Sequence, residues 1–530
     1  MKNKIQQNNH TTKSQTFQLM LPFDVGVKID AEESVRLLIE VTERMDYSKL
    51  NAAYARMPRE GEATPKQMFQ LVILGFMEGM YSTRKLERAC RNDIRFMYIL
   101  EGSPTPDHNR FWSFIRHRLY GGTGEVAENL FYQLTYYLEE VGEIDFSNIF
   151  VDGTKMEAQA NRYTFVWKKS VNRYEAKLDE KIRELTERLS NEYPFLVPIN
   201  TSAEDYLKEL KKQAKPEEFV YGRGKRKSKI QKDIEILSEY VLRKNKYTRY
   251  NETFKGRNSF SKTDRDATFM RMKDDHMGNG QLKPAYNLQL GVEGEYIVGI
   301  DISSERSDKL TLIPLLERIE KRTGKRHKNI CADAGYESEE NYKYLQKNEQ
   351  SAYIKPQNYE KSKTNKYKKN DFLRENMPYN KETDTYICPN GNTFSYSYTT
   401  KRYSASGFES EVTIYTCHGC NECQLKKDCT RAKENRKLSI SKEFLLLRND
   451  SRKRITSENG KTLRLNRSIQ SEGAFGILKH DHGFRRYLRR GTENVFTETI
   501  LWAFAYNIKK LHNKQKRNIQ GIILHATNSA

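Results

Sequence analysis

The sequence of 530 residues lacks any run of about 18 apolar residues, the length that an α-helix needs to cross a membrane. Its most apolar stretch, from Phe69 to Tyr81, is interrupted by Glu78. The first ten residues are polar and lack the apolar core of a secretory signal peptide. Cysteine is scarce, and five of the seven cysteines lie between Cys388 and Cys429. These absences argue against a membrane protein and a disulfide-stabilised secreted domain, and they predict a protein of the reducing cytoplasm.

Positive charge is in excess along the chain. The 92 lysine and arginine residues outnumber the 70 acidic residues, which gives a formal net charge of +22. Between residues 221 and 262, 13 basic residues oppose 4 acidic ones, and aromatic residues such as Tyr247 and Phe254 are interleaved with them. Basic and aromatic side chains together suit the phosphates and bases of nucleic acid. The alternative is a solvated helical face, which is what charge runs usually are.

Three acidic residues occur where a rigid element can hold them. Apolar residues run directly into Asp152 and into Asp333, and a glycine follows each within two positions, so each aspartate is predicted to end a short buried strand. Glu472 and Lys479 lie seven residues apart and share one face of a predicted α-helix. Two aspartates and a glutamate supply the oxygen ligands that a two-metal phosphoryl-transfer site needs. The alternative is that the aspartates only cap turns.

Other carboxylates compete for this role. The competing residues lie among basic residues or inside a predicted strand: Asp264, Asp266, Asp274 and Asp275, with His276 beside them, and Asp301. The first four lack a preceding apolar strand, so the favoured interpretation is that they form turns or ion pairs.

The cysteine cluster predicts a metal site of a different kind. A Cys-Pro pair at Cys388 is followed by cysteines that are spaced for metal binding: Cys417, Cys420, Cys423 and Cys429. Cysteines three positions apart let two thiolates point at one ion, and a distant cysteine completes a tetrahedron around zinc. Such a zinc ion would be structural, because the segment has few apolar residues of its own. An iron–sulfur cluster is the alternative.

These motifs resemble those of bacterial insertion-sequence transposases, whose RNase H-like catalytic domain carries an Asp-Asp-Glu triad. The resemblance extends from about residue 23 to about residue 511, and the run from Ala503 to Lys510 resembles the C-terminal helix of the family. The matching sequence motifs are Val151-Asp152-Gly153-Thr154-Lys155, Ala332-Asp333-Ala334-Gly335-Tyr336 and Glu472-Gly473-Ala474-Phe475-Gly476-Ile477-Leu478-Lys479.

The resemblance implies a DNA transposase that cleaves transposon ends and transfers the cut strand into target DNA. It implies that Asp152, Asp333 and Glu472 are catalytic and hold two Mg²⁺ or Mn²⁺ ions. Zinc ligands are implied at Cys388, Cys420, Cys423 and Cys429, with Cys417 as a fifth candidate. The expected DNA contacts are Lys155, Arg467, Lys479, Arg485 and Arg486, and the Arg489-Arg490 pair is a further candidate for the DNA backbone.

One departure from the family pattern concerns an arginine. Many relatives carry the signature Tyr-x2-Arg-x3-Glu-x6-Lys, and this chain has its Glu-x6-Lys half at Glu472 and Lys479. The nearest upstream arginine, Arg467, lies one residue too far from Glu472.

The predicted fold class is α/β: an RNase H-like mixed sheet with flanking helices, an all-α N-terminal domain, a helical-hairpin insertion and a small zinc-ribbon-like insertion. The predicted domains are a disordered tail at 1–22, a helical DNA-binding domain at 23–145, a catalytic domain at 146–168, 265–375 and 455–515, a basic helical insertion at 169–264, a cysteine-rich zinc-binding insertion at 376–454 and a basic tail at 516–530. Within residues 23–145, short helices fit a helix-turn-helix-like module, with a helical bundle for dimerisation as the alternative.

The expected partners are double-stranded DNA, as terminal inverted repeats and as target, and further copies of the chain. The expected location is the bacterial cytoplasm, in association with the nucleoid. An RNase H-like nuclease that cuts without joining is the main alternative. A zinc-stabilised DNA-binding regulator without catalysis is the third hypothesis, and the acidic triad argues against it.

Overall fold

A computed structural model describes residues 25–54, 62–120, 125–196, 202–222, 224–272 and 280–526. The predicted tail at 1–22, and Asp274, Asp275 and His276, lie outside these residues. In the described part of the chain, no helix is both long and apolar enough to cross a membrane.

Helices occupy the described chain before the first strand. The helix Pro65–Met77 begins with a capping box, in which Thr64 Oγ1 accepts from the Gln67 amide and the Gln67 side chain accepts from the Thr64 amide. The helices are α1 (Ser34–Glu43), α2 (Ser48–Ala52), α3 (Pro65–Met77), α4 (Thr83–Asn92), α5 (Ile94–Leu100), α6 (His108–Ser113) and α7 (Glu125–Glu140). A π-helical turn, Phe114–Leu119, continues α6.

The central sheet is mixed. Its strands are β1 (Asn148–Glu157), β4 (Thr268–Arg271), β5 (Leu282–Glu293), β6 (Tyr296–Ser303), β7 (Asn329–Ala332) and β8 (Ser351–Ile354). The order is β6-β5-β1-β7-β8, with β4 pairing the other end of β5. Strands β1, β7 and β8 are parallel, whereas β5 and β6 form the predicted antiparallel hairpin. This arrangement is consistent with an RNase H-like sheet.

A long helical excursion separates β1 from β5. Strands β2 (Phe165–Trp167) and β3 (Ser259–Ser261) pair with each other and form its base. Between them lie α8 (Lys168–Glu192), α9 (Ala203–Gln213) and α10 (Lys229–Phe254). Helices α8 and α10 are antiparallel, because Lys244 near the end of α10 contacts Glu175 near the start of α8, while Arg188 contacts Asp233.

A second sheet carries the cysteines. It has five antiparallel strands in the order β13-β12-β11-β10-β9, and its own core includes Tyr386, Phe394, Tyr415 and Leu438. The strands are β9 (Tyr379–Asn380), β10 (Thr385–Ile387), β11 (Thr393–Tyr403), β12 (Glu409–Cys417) and β13 (Lys437–Ile440).

The remaining helices follow β6 along the chain. They are α11 (Leu312–Thr323), α12 (Glu339–Lys347), α13 (Asn365–Lys368), α14 (Lys426–Cys429), α15 (Lys442–Thr456), α16 (Glu458–Arg467), α17 (Gly473–Gly476) and α18 (Thr492–Lys516). Helix α18 packs on β6, and the ring of its Phe504 lies 5.1 Å from that of Phe69 in α3. The N-terminal helices and the central sheet therefore share one hydrophobic core.

Candidate active site

Asp152 and Asp333 lie side by side on neighbouring parallel strands. The pairing of β1 with β7 ends at Val151 and Ala332, and the two aspartates are the next residues. The prediction that the strand ends at Asp152 is wrong. Strand β1 continues to Glu157, because the longer β5 pairs with it along its whole second half. Asp152 therefore marks the point where the parallel pairing stops and one side of β1 becomes open.

Asp333 is held by the turn that follows β7. The amide of Gly335 donates to Asp333 Oδ1 over 2.7 Å. A Cβ atom added to Gly335 would lie 2.9 Å from this oxygen and 3.2 Å from Oδ2 of Asp308. Glycine is thus required by the close approach of two carboxylates, since any side chain at residue 335 would separate them.

Asp308 is a site residue that the sequence did not reveal. Its Oδ1 atom accepts from Asn287 Nδ2 over 2.7 Å and from Gln289 Nε2 over 3.3 Å. Both amides are buried in β5, so they fix one oxygen of Asp308 and leave Oδ2 facing Gly335. In the sequence, Ser307 and Asp308 look like an ordinary helix cap, and only the strand pairing shows which residues surround them.

The charges of these acids act together on the buried hydroxyl group of Tyr336. Burial, and then the negative charges of Asp308, Asp152 and Asp333, raise the pKa of Tyr336 well above its usual value. The phenol is therefore neutral at physiological pH, and its hydroxyl donates to Oε1 of Gln289. The acids lie close enough together to act on the same buried group.

Glu472 lies at the end of a π-helical turn that directly follows Arg467. Residues Ser468–Glu472 form a π-helical turn, in which hydrogen bonds span five residues rather than four. This turn absorbs the additional residue between Arg467 and Glu472. Arg467 Nη1 lies 3.5 Å from Asp152 Oδ2, and its Nη2 lies 3.6 Å from Glu472 Oε1. The guanidinium group thus links an acid of the sheet with an acid of the helix.

The opposite side of this turn is anchored by the C-terminal segment. Gln470 accepts from the amide of Glu295 over 2.9 Å and donates to the carbonyl of Ile523 over 2.9 Å. Asn466 accepts from the amide of His525 over 2.8 Å and donates to its carbonyl over 2.9 Å. Both side chains are buried, so they fix the helix from behind. Glu472 projects from the other side with 62% of its side chain exposed.

The basic residues predicted to contact DNA differ in their surroundings. Arg486 donates to the carbonyls of Ala158 and Ala160 over 3.2 and 3.1 Å, so it supports the loop after β1. Arg485 is exposed and donates over 3.1 Å to the carbonyl of Lys479, which lies in a third π-helical turn, Ile477–Asp481. Lys155 lies half-buried on β1, three residues after Asp152.

The described competing carboxylates have structural partners. Asp264 accepts from the hydroxyl of Tyr286 over 2.9 Å and from the amide of Gly491. Asp266 accepts from the amide of Thr492, and Asp301 pairs with Arg318. These contacts agree with the interpretation of the first two as turn or ion-pair residues.

The five clustered cysteines line one small pocket beside Phe394 and Arg436. The amide of Arg436 donates to Cys420 Sγ over 3.5 Å, and its Nη1 donates to Cys429 Sγ over 3.0 Å. Burial and the neighbouring thiols of Cys420 and Cys388 raise the pKa of Cys417.

The donor chemistry at both places fits metal ions. Sulfur atoms that receive N–H donors suit a thiolate-bound zinc ion, and carboxylate oxygens suit Mg²⁺ or Mn²⁺. In the described ranges, however, no three His, Cys, Asp or Glu side chains are drawn together closely enough to hold an ion.

A mixed sheet with acids at the ends of its parallel pairing, together with a helical glutamate that shares an arginine with one of them, makes this an α/β protein whose sheet is consistent with the RNase H-like class. Comparison with known families makes this more specific. Residues 387–512 match the family model described as "Transposase DDE domain", and residues 24–117 match "Transposase domain (DUF772)". These two matches support an insertion-sequence DDE transposase. No curated protein and no solved structure matches it. The first match contains Glu472 and the cysteines but neither Asp152 nor Asp333.

Proposed function

We propose that this protein is a DNA transposase that cleaves DNA at the ends of its element and joins the cut strand to target DNA. Asp152, Asp333 and Glu472 are its catalytic residues. The observation that carries the proposal is the juxtaposition of Asp152 and Asp333 by parallel pairing, in a chain with two transposase family matches.

The three carboxylates supply oxygen ligands for two Mg²⁺ or Mn²⁺ ions. When bound, such a pair activates the attacking hydroxyl and stabilises the leaving oxygen of a phosphodiester. Gly335 keeps the space between Asp333 and Asp308 open. Arg467, which reaches both Asp152 and Glu472, balances their negative charge and orients a phosphate. Lys479 follows Glu472 by two helical turns, and it contacts the DNA backbone together with Lys155, Arg485 and Arg486.

We assign a structural zinc ion to the cysteine pocket, with Cys388, Cys420, Cys423 and Cys429 as ligands and Cys417 as a fifth candidate. The shared pocket and the N–H donors aimed at sulfur support this assignment. The zinc stabilises the five-stranded sheet that precedes the helices bearing Glu472.

The proposed partner is double-stranded DNA, both as terminal inverted repeats and as target, bound by a dimer or larger assembly in the bacterial nucleoid. Helices α1–α7 form the proposed DNA-end-binding region, and the basic helices α8 and α10 provide a second surface. An excess of lysine and arginine favours such contacts through counterion release.

The test is cleavage of a duplex that carries the terminal repeat flanking the gene. Asp152→Asn, Asp333→Asn and Glu472→Gln should each abolish cleavage and leave DNA binding intact, because each removes one charged ligand without changing the size of the side chain. Glu458→Gln, at an exposed position at the start of α16, is the matched control and should cleave normally. Wild-type cleavage by any one of the three variants would remove that residue from the triad. A wild-type protein that cuts but never joins strands would instead support the nuclease.

A further inference from the structure

A pocket of about 280 Å³ lies between the N-terminal helices and the segment before α18. Three of its lining residues are arginines and none is acidic: Trp112, Arg116, Gln159, Leu488, Arg489, Arg490 and Asn494. The pocket joins residues from three distant parts of the chain. The catalytic assignment above does not use it.

One wall of the pocket is apolar and exposed. Trp112 has 48% of its surface exposed, and Leu488 has 49%. The guanidinium carbon of Arg116 lies 5.2 Å from the centre of the Trp112 ring, a cation–π contact that places the charge beside the ring. A large aromatic face and a positive charge are thus presented together.

The three arginines differ in their surroundings. Arg489 lies close enough to the buried Glu498 to feel its charge, and Glu498 also accepts from the amides of Leu488 and Arg489. Arg490 Nε donates to the carbonyl of Gln159 over 2.8 Å, a contact that fixes the side chain but does not neutralise it. Across the described ranges, neither Arg116 nor Arg490 forms an ion pair. Two fixed cations beside an aromatic ring match a phosphate and the sugar or base attached to it.

We propose that this pocket binds one nucleotide of a DNA strand, with its phosphate between Arg116 and Arg490 and its sugar or base against Trp112. The inference rests on the proposed function, and it adds a DNA contact away from the acids. The pocket shares no residue with the acidic site, so the bound nucleotide is not the one at the cleaved bond.

The experiment uses the full-length protein and terminal-repeat duplexes in which one phosphate at a time is replaced by a neutral methylphosphonate. For the wild-type protein, neutralising one particular phosphate away from the cleavage site should weaken binding. For Arg116→Gln or Arg490→Gln, the same replacement should cause little further loss, because the partner of that phosphate is already absent. Each variant should also reduce the slope of the logarithm of the binding constant against the logarithm of salt concentration by about one.

Trp112 provides a second and independent measurement. Trp112→Ala should weaken binding roughly five- to 150-fold, the range found for aromatic stacking on bases, whereas Trp112→Phe should recover most of it. Arg452→Gln, at an exposed position on α15, is the control and should leave the methylphosphonate profile unchanged. Melting temperatures show whether each variant is folded.

The outcomes separate the two proposals. If the wild-type protein neither binds nor cleaves the repeat, the proposed function fails. Suppose instead that it does both, and that every methylphosphonate replacement weakens binding by the Arg116 and Arg490 variants as much as it weakens binding by the wild type. The pocket is then not a nucleotide site. Equal binding by Trp112→Ala and wild type would refute the role of the aromatic wall.

Discussion

The position that tests the acidic site most directly is Gly335, where a single methyl group can be placed between two carboxylates. In Gly335→Ala, the new Cβ would lie 2.9 Å from Asp333 Oδ1 and 3.2 Å from Asp308 Oδ2. The first distance is too short for a carbon–oxygen contact, so at least one carboxylate must move. The φ angle of Gly335 is not in the left-handed region, so alanine adds no backbone strain there.

The two consequences of this change differ in size. The crowded atoms are the ends of side chains, which can move by a few tenths of an ångström. Overpacking costs about 1–3 kcal/mol, and alanine returns about 0.4–1 kcal/mol by restricting the unfolded chain. The free energy of unfolding should therefore fall by roughly 1 kcal/mol. Catalysis is more sensitive, because misplacing reacting groups by about 1 Å can cost on the order of 100-fold. We expect cleavage to slow roughly ten- to a hundredfold.

The assay compares cleavage rate at several Mg²⁺ concentrations with melting temperature. Gly476→Ala is the matched control, because it lies in the helical run after Glu472 and its added Cβ would have no neighbour within 4 Å. It should raise the free energy of unfolding by about 0.5–1 kcal/mol, which contrasts with the fall expected for Gly335→Ala. If Gly335→Ala cleaves at the wild-type rate at every Mg²⁺ concentration, the close approach of Asp333 and Asp308 is not part of the site. If it unfolds, the packing argument is wrong.

Three further predictions address other parts of the molecule. Cys423→Ser should lower both zinc content and melting temperature, whereas Glu472→Gln should keep both normal and lose cleavage; a Cys423→Ser protein with normal stability and no cleavage would give the cysteines a direct role in DNA handling. Arg467→Lys should retain the fold but slow cleavage, because an ammonium group cannot span Asp152 and Glu472 as a guanidinium does; an unchanged rate would contradict that role. Burial, and then the charge of Lys509, lower the pKa of His482, whose Nδ1 accepts from Trp502 Nε1 over 3.2 Å. The contribution of the neutral His482 to stability is present above about pH 6.5 and should be lost as the pH falls further. In His482→Gln, the melting temperature should therefore change less between pH 7 and pH 5 than it does in the wild type. An equal change in both proteins would argue against this role.

Local signals in the sequence were sufficient for several elements. The alternating residues of β5 and β6 correctly predict a hairpin, and Ser338 does cap α12, since its Oγ accepts from the Asn341 amide over 3.1 Å. The placement of Asp152 beside Asp333 needed the strand order, which a resemblance supplied and the sequence pattern alone did not.

Other features could not be predicted, because they depend on contacts between distant segments. Asp308 gains its role only when β5 brings Asn287 and Gln289 beneath it. The family signature places Arg467 one residue too far from Glu472, whereas the chain forms a π-helical turn between them and the guanidinium group lies 3.6 Å from Glu472. Strand β1 is longer than its apolar run, since pairing with β5 rather than hydrophobicity sets its end.

The anchoring of the Glu472 helix has a consequence for how the protein is made. Asn466 and His525 are 59 residues apart, with α18 between them, so the ribosome produces all three proposed catalytic acids before it produces the residues that anchor the helix of the third. Domains fold from the N-terminus onward during synthesis. Until Ile523 and His525 emerge, Gln470 and Asn466 lack the hydrogen bonds that join them to this segment, although Gln470 can already accept from the amide of Glu295. A chain that ends before residue 523 would therefore contain every acid but lack this anchor of the Glu472 helix.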